Sequence, residues 1–327
     1  MNIGKLPNDV LEKLVFDNIG NKREDVLLRA GVGEDCSVLD FGKYGCVIST
    51  DPITGASSNL GSLAIHISCN DVASNGAEPI GVTLTIMAPE DTKETEIEEI
   101  MKDASKASKE LNVEIIGGHT EITNAVNKIV VSTTVIGKQL KEKILNIDDI
   151  KIGDKILMTK TAGLEGTAII ASDLKDKLEN KLSKDILKEA KDMIKDISVV
   201  KEGIICGNIG VSYMHDVTEG GILGALWETA KAIKKGVRVY KKDIPIADST
   251  KDICNILNID PLKLISSGSM IIVANDENTL KIKSKLKENN IKVSVIGEIT
   301  KEDILIEEDD EIKTIKSPES DELYKVI

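Results

Sequence analysis

The chain has 327 residues, of which 41% are hydrophobic and 30% are charged, and its formal net charge is −13. This length predicts two domains of about 150 residues each, and the composition is typical of folded globular proteins. The acidic excess and the seven aromatic side chains (two Phe, four Tyr, one Trp) argue against nucleic-acid binding. That role requires clustered Lys and Arg or a surface on which bases stack.

The sequence also argues against a membrane partner. No apolar run approaches the roughly 20 residues of a membrane span, and no basic segment followed by an apolar one opens the chain. A cytoplasmic location is therefore expected. The five cysteines are widely spaced without a C-x-x-C pair, so reduced and mostly buried thiols are expected rather than a zinc or redox site.

The first half alternates predicted strands and helices. Residues 45–50 form a predicted buried strand that should end at Asp51 and Pro52, because proline removes a backbone donor. Residues 82–87 and 129–136 alternate apolar and small polar side chains, a pattern typical of strands with one buried face. Apolar residues at helical spacing then predict a surface helix over 94–111.

The polar segment 146–155 contains a Gly-Asp turn and marks the predicted domain boundary. It divides the chain into an N-terminal domain, 1–147, and a C-terminal domain, 148–327. The second domain repeats the alternation, and the final segment from Lys301 is expected to be peripheral. Its predicted elements are a helix starting at 163–167, a helical stretch near 183–205, a helix that follows Gly220-Gly221 and ends at Gly236, a strand at 269–274, a helix near 277–289 and a strand at 292–299.

Two acidic residues lie in turns beside predicted strands. Asp35 belongs to Gly33-Glu34-Asp35 and Asp51 follows Thr50 at the end of a strand. Each turn alone is weak evidence for a site, because Gly-Asp and Asp-Pro are ordinary turn sequences.

Asp71 carries a stronger signal. Apolar residues at positions 60, 63, 64 and 67 form one face of a predicted helix, and that face continues to Asn70 and Asp71. An unpaired buried carboxylate costs several kcal/mol, so Asp71 should have a cation, a cluster of N–H groups or a metal ion as its partner. The alternative is that Asp71 caps a neighbouring segment.

Two glycine-rich segments complete the pattern. Gly117-Gly118-His119-Thr120-Glu121 follows an apolar strand as a predicted loop whose N–H groups could hold an anion. The segment 215–221, HDVTEGG, joins a short strand to a helix N-terminus, where backbone donors and the helix dipole favour a phosphate. His215 is interpreted as a general base or, preferably, as a hydrogen-bonded core residue.

Five motifs in this order resemble those of the aminoimidazole ribonucleotide (AIR) synthase-related, PurM-like superfamily: GEDCSV, TDPIT, NDVASNGAEP, GGHTE and MHDVTEGG. Within it, the NDVA-x-x-G-A-x-P and HD-x-TEGG patterns most resemble the hydrogenase expression/formation (HypE) family. The resemblance implies an α/β (α+β) fold of two domains, with an N-terminal domain that dimerises through its sheet and a C-terminal α/β domain. It also implies ATP and Mg²⁺ in the cleft between them.

The resemblance further implies a set of site residues. The metal ligands would be acidic: Asp35, Asp51, Asp71 and Asp216. The catalytic residues would be Asp71, Asp216 and Glu121. The nucleotide contacts would come from small, polar or acidic residues, namely Asp35, Thr50, Asn70, Gly117, Gly118, Thr120, Gly220 and Gly221.

The function that the resemblance implies is ATP-dependent phosphoryl transfer to an amide or carbamoyl oxygen, by a homodimer acting on a small-molecule substrate or with a carbamoyl-transferring maturation protein. Thiamine-monophosphate kinase, AIR synthase and a non-catalytic nucleotide-binding scaffold stay open as alternatives. Two departures from the family pattern bear on the choice. His119 stands where relatives have Asp or Glu, and the sequence ends SPESDELYKVI, without the terminal cysteine that HypE proteins use to carry the carbamoyl group.

Overall fold

The computed structural model describes residues 6–54, 59–318 and 320–327, and only the backbone of Asp9. The chain forms two sheets, each with helices packed on it, which confirms the predicted α/β fold class. The first sheet ends at Leu140 and the second begins at Lys155. The predicted boundary between residues 147 and 148 lies in that interval.

The first sheet has six strands in the order β1-β2-β3-β6-β4-β5, and β4 and β5 are its parallel pair. The strands are β1 (Val26–Leu28), β2 (Ser37–Phe41), β3 (Tyr44–Ile53), β4 (Glu78–Ala88), β5 (Glu114–Ile122) and β6 (Val130–Leu140). The helices of this half are α1 (Asn8–Leu14), α2 (Leu60–Ser74) and α3 (Glu94–Leu111), and 3-10 helices span Phe16–Asn18, Lys141–Lys143 and Ile147–Asp149.

Helix α3 has the predicted bounds, and local chemistry explains them. At its start the backbone N–H of Lys93 donates to the Glu96 carboxylate (2.9 Å), which is the half of a capping box that an acid at this position supplies. At its end Asn112 adopts the left-handed conformation, with φ 56°. Its buried positions, among them Ile100, Ala104 and Ala107, face α2 and the sheet.

Two predictions for the first sheet were wrong. Strand β3 does not end at Asp51-Pro52 but continues to Ile53, pairing with β6 through Asp51 opposite Thr133 and Pro52 opposite Ser132. The Gly117–Glu121 segment is not a loop. It belongs to β5, the edge strand, and pairs with β4 residue by residue.

The second sheet has seven strands in the order β13-β12-β9-β11-β7-β10-β8. They are β7 (Lys155–Thr159), β8 (Tyr213–Asp216), β9 (Gly236–Tyr240), β10 (Met270–Ala274), β11 (Val293–Thr300), β12 (Ile304–Glu308) and β13 (Glu311–Thr314). The helices are α4 (Leu164–Asp173), α5 (Lys175–Leu178), α6 (Lys184–Asp192), α7 (Val200–Ile209), α8 (Gly221–Ile233), α9 (Asp248–Leu257) and α10 (Asp276–Glu288), and 3-10 helices span Met193–Asp196, Lys241–Asp243 and Glu322–Lys325.

Three predictions for the second half need correction. The stretch near 183–205 is broken into α6, a 3-10 helix and α7. Helix α8 ends at Ile233 with Lys234 in the left-handed conformation, so that Gly236 starts β9 instead of capping the helix. The segment after Lys301 is not peripheral, because β12 and β13 join the sheet and Ile306, Ile315 and Leu323 are buried.

Helix α2 connects the two halves. A Cβ on Gly203 of α7 would lie 2.3 Å from the Ala73 carbonyl oxygen, and one on Gly207 would lie 2.6 Å from Gly76 Cα. The absence of side chains at these glycines therefore lets α7 approach α2 closely. None of the helices in the described ranges combines the length and apolar character that crossing a membrane needs.

Candidate active site between the two domains

Four carboxyl groups meet where α2 and β3 of the first domain face β8 of the second: Asp35, Asp51, Asp71 and Asp216, here called the acid cluster. Burial raises the pKa of Asp71 well above its ordinary value, and the other three members raise it further. The Cys36 thiol lies among the same four carboxylates, and burial followed by their charges raises its pKa well above normal. The raised pKa favours the protonated thiol, which is a poor nucleophile.

Helix α2 delivers Asp71 to the cluster as the sequence pattern predicts. Leu60, Leu63 and Ala64 are buried under the sheet, and Asp71, two turns further along, is only 3% exposed. The hydroxyl of Ser49, on β3, donates to Asp71 Oδ2 (2.5 Å). A hydrogen bond with Asp51 also contributes to the raised pKa of Asp71. A site that brings two carboxyl groups into contact favours either a shared proton or a cation.

Asp216 enters from the second domain at the end of β8 and is 1% exposed. Its Oδ1 accepts a hydrogen bond from Ser74 Oγ (3.3 Å), whereas its Oδ2 is buried without a hydrogen-bond partner among the described residues. The pKa of Asp216 is raised to about 7. Burial is the main cause and the charge of Asp35 adds to it, whereas the charge of His215 lowers the pKa in part. A buried carboxylate oxygen without a partner is costly unless a ligand satisfies it.

His215 bridges two carboxylates. Its Nδ1 lies 2.6 Å from Asp35 Oδ2 and its Nε2 lies 3.1 Å from Glu228 Oε2. Burial lowers the pKa of His215, but the two carboxylates raise it more, so that the net shift is well above the ordinary value. Both ring nitrogens then act as donors, which leaves no basic nitrogen for general-base catalysis. The preferred interpretation of His215 as a hydrogen-bonded residue agrees with this geometry.

The residues of the cluster fit a divalent cation. Asp35, His215 and Asp216 each offer a ligand atom within 4.8 Å of the others. Because the His215 nitrogens are engaged by Asp35 and Glu228, the atoms suited to a cation are the carboxylate oxygens, with the unpartnered Asp216 Oδ2 first among them. Hard oxygen ligands are those that Mg²⁺ prefers.

The β5 residues predicted for the site lie elsewhere. The residues of Gly117–Glu121 are exposed, and Oε2 of Glu121 lies 3.1 Å from Nε2 of His119 on the surface. Gly118 has φ 151°, and a Cβ there would lie 1.9 Å from the Leu84 carbonyl oxygen. Its requirement for glycine is thus explained by the close approach of β4. Within the protomer, the structure does not bring Gly117, Gly118, Thr120 or Glu121 to the acid cluster.

Two polar residues predicted to contact the nucleotide have other partners. Thr50 points to the face of β3 opposite Asp51, where its hydroxyl lies 2.9 Å from that of Thr134. Asn70 is fully buried, and its side chain bonds the Ile197 carbonyl (2.9 Å) and the Val199 N–H (2.8 Å). Asn70 therefore joins α2 to the second domain instead of facing a phosphate.

The glycines at the start of α8 are also engaged by the chain itself. The Gly220 N–H donates to Asp321 Oδ2 (2.7 Å), and the Gly221 N–H donates to the Thr218 carbonyl (3.1 Å). Burial raises the pKa of Asp321 to about 6, although the backbone N–H groups that donate to its carboxylate lower the pKa in part. The anion at this helix N-terminus is thus a carboxyl group of the protein, contrary to the predicted phosphate contact.

Sequence reasoning missed three participants, Ser49, Ser74 and Glu228. Serines on α2 and β3 carry no pattern that separates them from other small buried residues. Glu228 did carry a signal, because it shares the buried face of α8 with Ala225 and Ala232. A charged residue on an apolar face is unusual and points to a polar partner.

The models of two AIR synthase-related domains match the chain. The N-terminal domain model matches residues 33–139 and the C-terminal domain model matches residues 151–310. The chain belongs to the AIR synthase-related family. The resemblance of the five motifs is thereby confirmed.

Two relatives are similar to the chain over most of its length. A putative hydrogenase expression/formation protein of Methanocaldococcus jannaschii is 28% identical over 90% of this chain and 88% of its own length. Carbamoyl dehydratase HypE of Bradyrhizobium diazoefficiens is 26% identical over 75% of this chain and 71% of its own length.

Solved structures share the fold. HypE in a HypE–HypF complex gives a TM-score of 0.76 at 23% identity, covering 94% of this chain and 99% of the other. HypE in complex with ATP gives a TM-score of 0.70 at 21% identity, and the match covers 88% of this chain and 89% of the other. Thiamine-monophosphate kinase of Aquifex aeolicus gives a TM-score of 0.67 at 15% identity, and the match covers 91% of this chain and 94% of the other.

Proposed function

We propose that the protein is a HypE-like enzyme that uses Mg²⁺ and ATP to activate an amide or carbamoyl oxygen by phosphoryl transfer. The observation that carries the proposal is the acid cluster, in which buried carboxylates from both domains meet and Asp216 Oδ2 lacks a hydrogen-bond partner. So many acids together are stable only if protons or a cation neutralise them. Relatives named carbamoyl dehydratase, and a HypE structure with ATP, supply the reaction class.

In this proposal the acid cluster holds Mg²⁺, which would neutralise the charge that develops on the transferred phosphoryl group. The protein residues have distinct tasks. Ser49 would fix the Asp71 carboxylate through its hydrogen bond, and Asp216 would offer the cation its Oδ2, which has no hydrogen-bond partner among the described residues. The two domains must be docked for all four carboxylates to act together, because Asp216 alone comes from the second domain.

The chemistry would proceed in two balanced steps. The carbamoyl oxygen attacks the γ-phosphorus of ATP, and the bond to the β-phosphate oxygen breaks with release of ADP. The activated oxygen then leaves with the phosphoryl group as inorganic phosphate, while the nitrogen loses its protons and a nitrile forms. We place the carbamoyl group on a maturation protein that acts as partner, in keeping with the HypE–HypF complex.

We also propose a homodimer. Helices α2 and α3 cover one face of the first sheet, but the other face, with Ile48, Thr134 and Met87, is only partly buried in the described protomer. The adjoining edge strand β5 exposes Ile116 and Ile122, each 52% accessible. Association through this face and edge would cover both features.

The test is ADP release by the purified protein with Mg-ATP and one substrate at a time. The substrates are a carbamoylated peptide, thiamine monophosphate and formylglycinamidine ribonucleotide. We expect that only the carbamoylated peptide stimulates ADP release and that EDTA abolishes this stimulation. Stimulation by thiamine monophosphate would instead favour the kinase. Tight ATP binding with no turnover on any substrate would identify a nucleotide-binding scaffold and overturn the proposal.

A further inference from the structure

Asp35 is a first-domain member of the acid cluster that bonds to a side chain of the second domain. It lies in the loop before β2 of the first domain, yet its Oδ2 lies 2.6 Å from His215 Nδ1 on β8 of the second. His215 is in turn held by Glu228 of α8, at 3.1 Å from its Nε2. His215 is 1% exposed, so the imidazole itself is shielded from water.

The backbone of the same loop is docked on the second domain as well. Tyr213 donates its hydroxyl to the Gly33 carbonyl (2.8 Å). Gly33 itself has φ 78°, and a Cβ there would lie 2.8 Å from the Glu228 carbonyl oxygen and 2.9 Å from Ala232 Cβ. Only glycine satisfies both the conformation and the close approach to α8.

Asp71 is held differently. Ser49, its hydrogen-bond partner, belongs to the first domain, as does Asp51, with which it also shares a hydrogen bond. The printed hydrogen bonds of Asp71 are thus internal to the first domain, whereas Asp35 is held by its bond to His215 and by the seating of its loop on β8 and α8.

We infer that Tyr213, His215 and Glu228 form a clamp that positions Asp35 for a divalent cation and so makes cation affinity depend on the docking of the two domains. These three are positioning residues, since they act through Asp35. The inference rests on the proposed function, because it assumes that the acid cluster holds the cation. Groups that orient a ligand typically change metal affinity by about 10–100-fold when they are removed.

A matched glycine pair tests the clamp without altering any charge. Gly33→Ala should lift the loop from α8, whereas a Cβ on Gly31 meets its nearest neighbour, Glu34 Cγ, at an ordinary 3.5 Å. With Mn²⁺ as the probe, electron paramagnetic resonance should show about 10-fold or greater weakening for Gly33→Ala and less than 2-fold for Gly31→Ala. Hydrogen exchange of the amides in 31–36 should rise in the first variant only.

Side-chain variants extend the test. Glu228→Ala and His215→Gln should weaken Mn²⁺ binding by about 10–100-fold, and Tyr213→Phe should have a smaller effect in the same direction. His66→Gln, at a buried histidine of α2 outside the acid cluster, is the matched control and should leave Mn²⁺ affinity unchanged. If a charged-group variant fails to fold, Gly33→Ala and Tyr213→Phe decide the question.

The outcomes separate this inference from the proposed function. Unchanged Mn²⁺ affinity and unchanged exchange of 31–36 in folded Gly33→Ala and Tyr213→Phe proteins would overturn the clamp, whatever the enzyme does. If the wild type binds Mn²⁺ with an affinity that the clamp variants weaken, but releases no ADP with any substrate, the proposed function would be overturned and the clamp would stand.

Discussion

The acid cluster and the Gly117–Glu121 segment of β5 carry similar sequence signals but have opposite surroundings. Both place acids or glycines next to apolar strands, yet Asp71 and Asp216 of the cluster are buried between the domains and the β5 segment is exposed at a sheet edge. The strand order explains the difference. Strands β3 and β5 are separated by β6 and β4, three strand spacings or roughly 14 Å, so Asp51 and Glu121 cannot share one cation within a protomer.

This comparison shows that a local motif does not fix where its side chains meet. Asp71 reaches the site because α2 packs on the inner face of the sheet and against α7 of the second domain. Glu121 has no such partner element on the described chain. The contrast yields four predictions, in order of decreasing effect.

The largest effect is expected from Asp71→Asn. Loss of this carboxylate should lower ADP release by about 100–1000-fold, because it removes charge that holds the cation in the transition state. The same change should raise the thermal midpoint in EDTA at pH 8, since it relieves repulsion among buried carboxylates. Mg²⁺ should stabilise the wild type more than the variant. Turnover equal to the wild type would show that the acid cluster is not the site.

Gly118→Ala should destabilise the fold by about 3 kcal/mol, because the new Cβ would collide with the Leu84 carbonyl at a backbone angle that favours glycine. Gly117→Ala is the matched control, since a Cβ there meets nothing within 4 Å. Urea unfolding of both variants measures the difference. Equal stability of the two would mean that β5 does not pair with β4 in the described register.

Glu165→Gln separates burial from membership in the acid cluster. Burial raises the pKa of Glu165 to about 7 from an ordinary 4.5, although hydrogen bonds from Ser267 lower it in part. Its contribution to stability is therefore complete below pH 4.5 and is lost as the pH rises through 7. The wild type should lose on the order of 2 kcal/mol more than Glu165→Gln between pH 5 and pH 8. Urea titrations at both pH values test this, and parallel losses would contradict the raised pKa.

The smallest effect is expected from Glu121→Gln. Because Glu121 is exposed and pairs only with His119 in the described protomer, ADP release should change by less than about 2-fold, as is usual for surface ion pairs. A loss comparable to that of Asp71→Asn would show instead that β5 contributes to the site.

Several features followed from sequence alone, because they depend on local periodicity and capping. Helix α3 has its predicted bounds, and of the predicted apolar face that leads to Asp71, Leu60, Leu63 and Ala64 are buried and Ile67 is partly buried. The ordered motifs also identified the family, which the domain models confirm. Such features are decided by neighbours three or four residues away, which a single sequence displays.

Other features were decided only by tertiary structure. Asn70 joins the domains, Asp321 takes the N–H of Gly220, and Thr50 faces away from Asp51. In each case the hydrogen-bond partner is remote in sequence, and its identity depends on which faces of two elements meet. The sequence by itself determined which residues carry charge or lack a side chain. Packing determined which of them meet between the domains, because the cost of burying a charge depends on neighbours that no local pattern specifies.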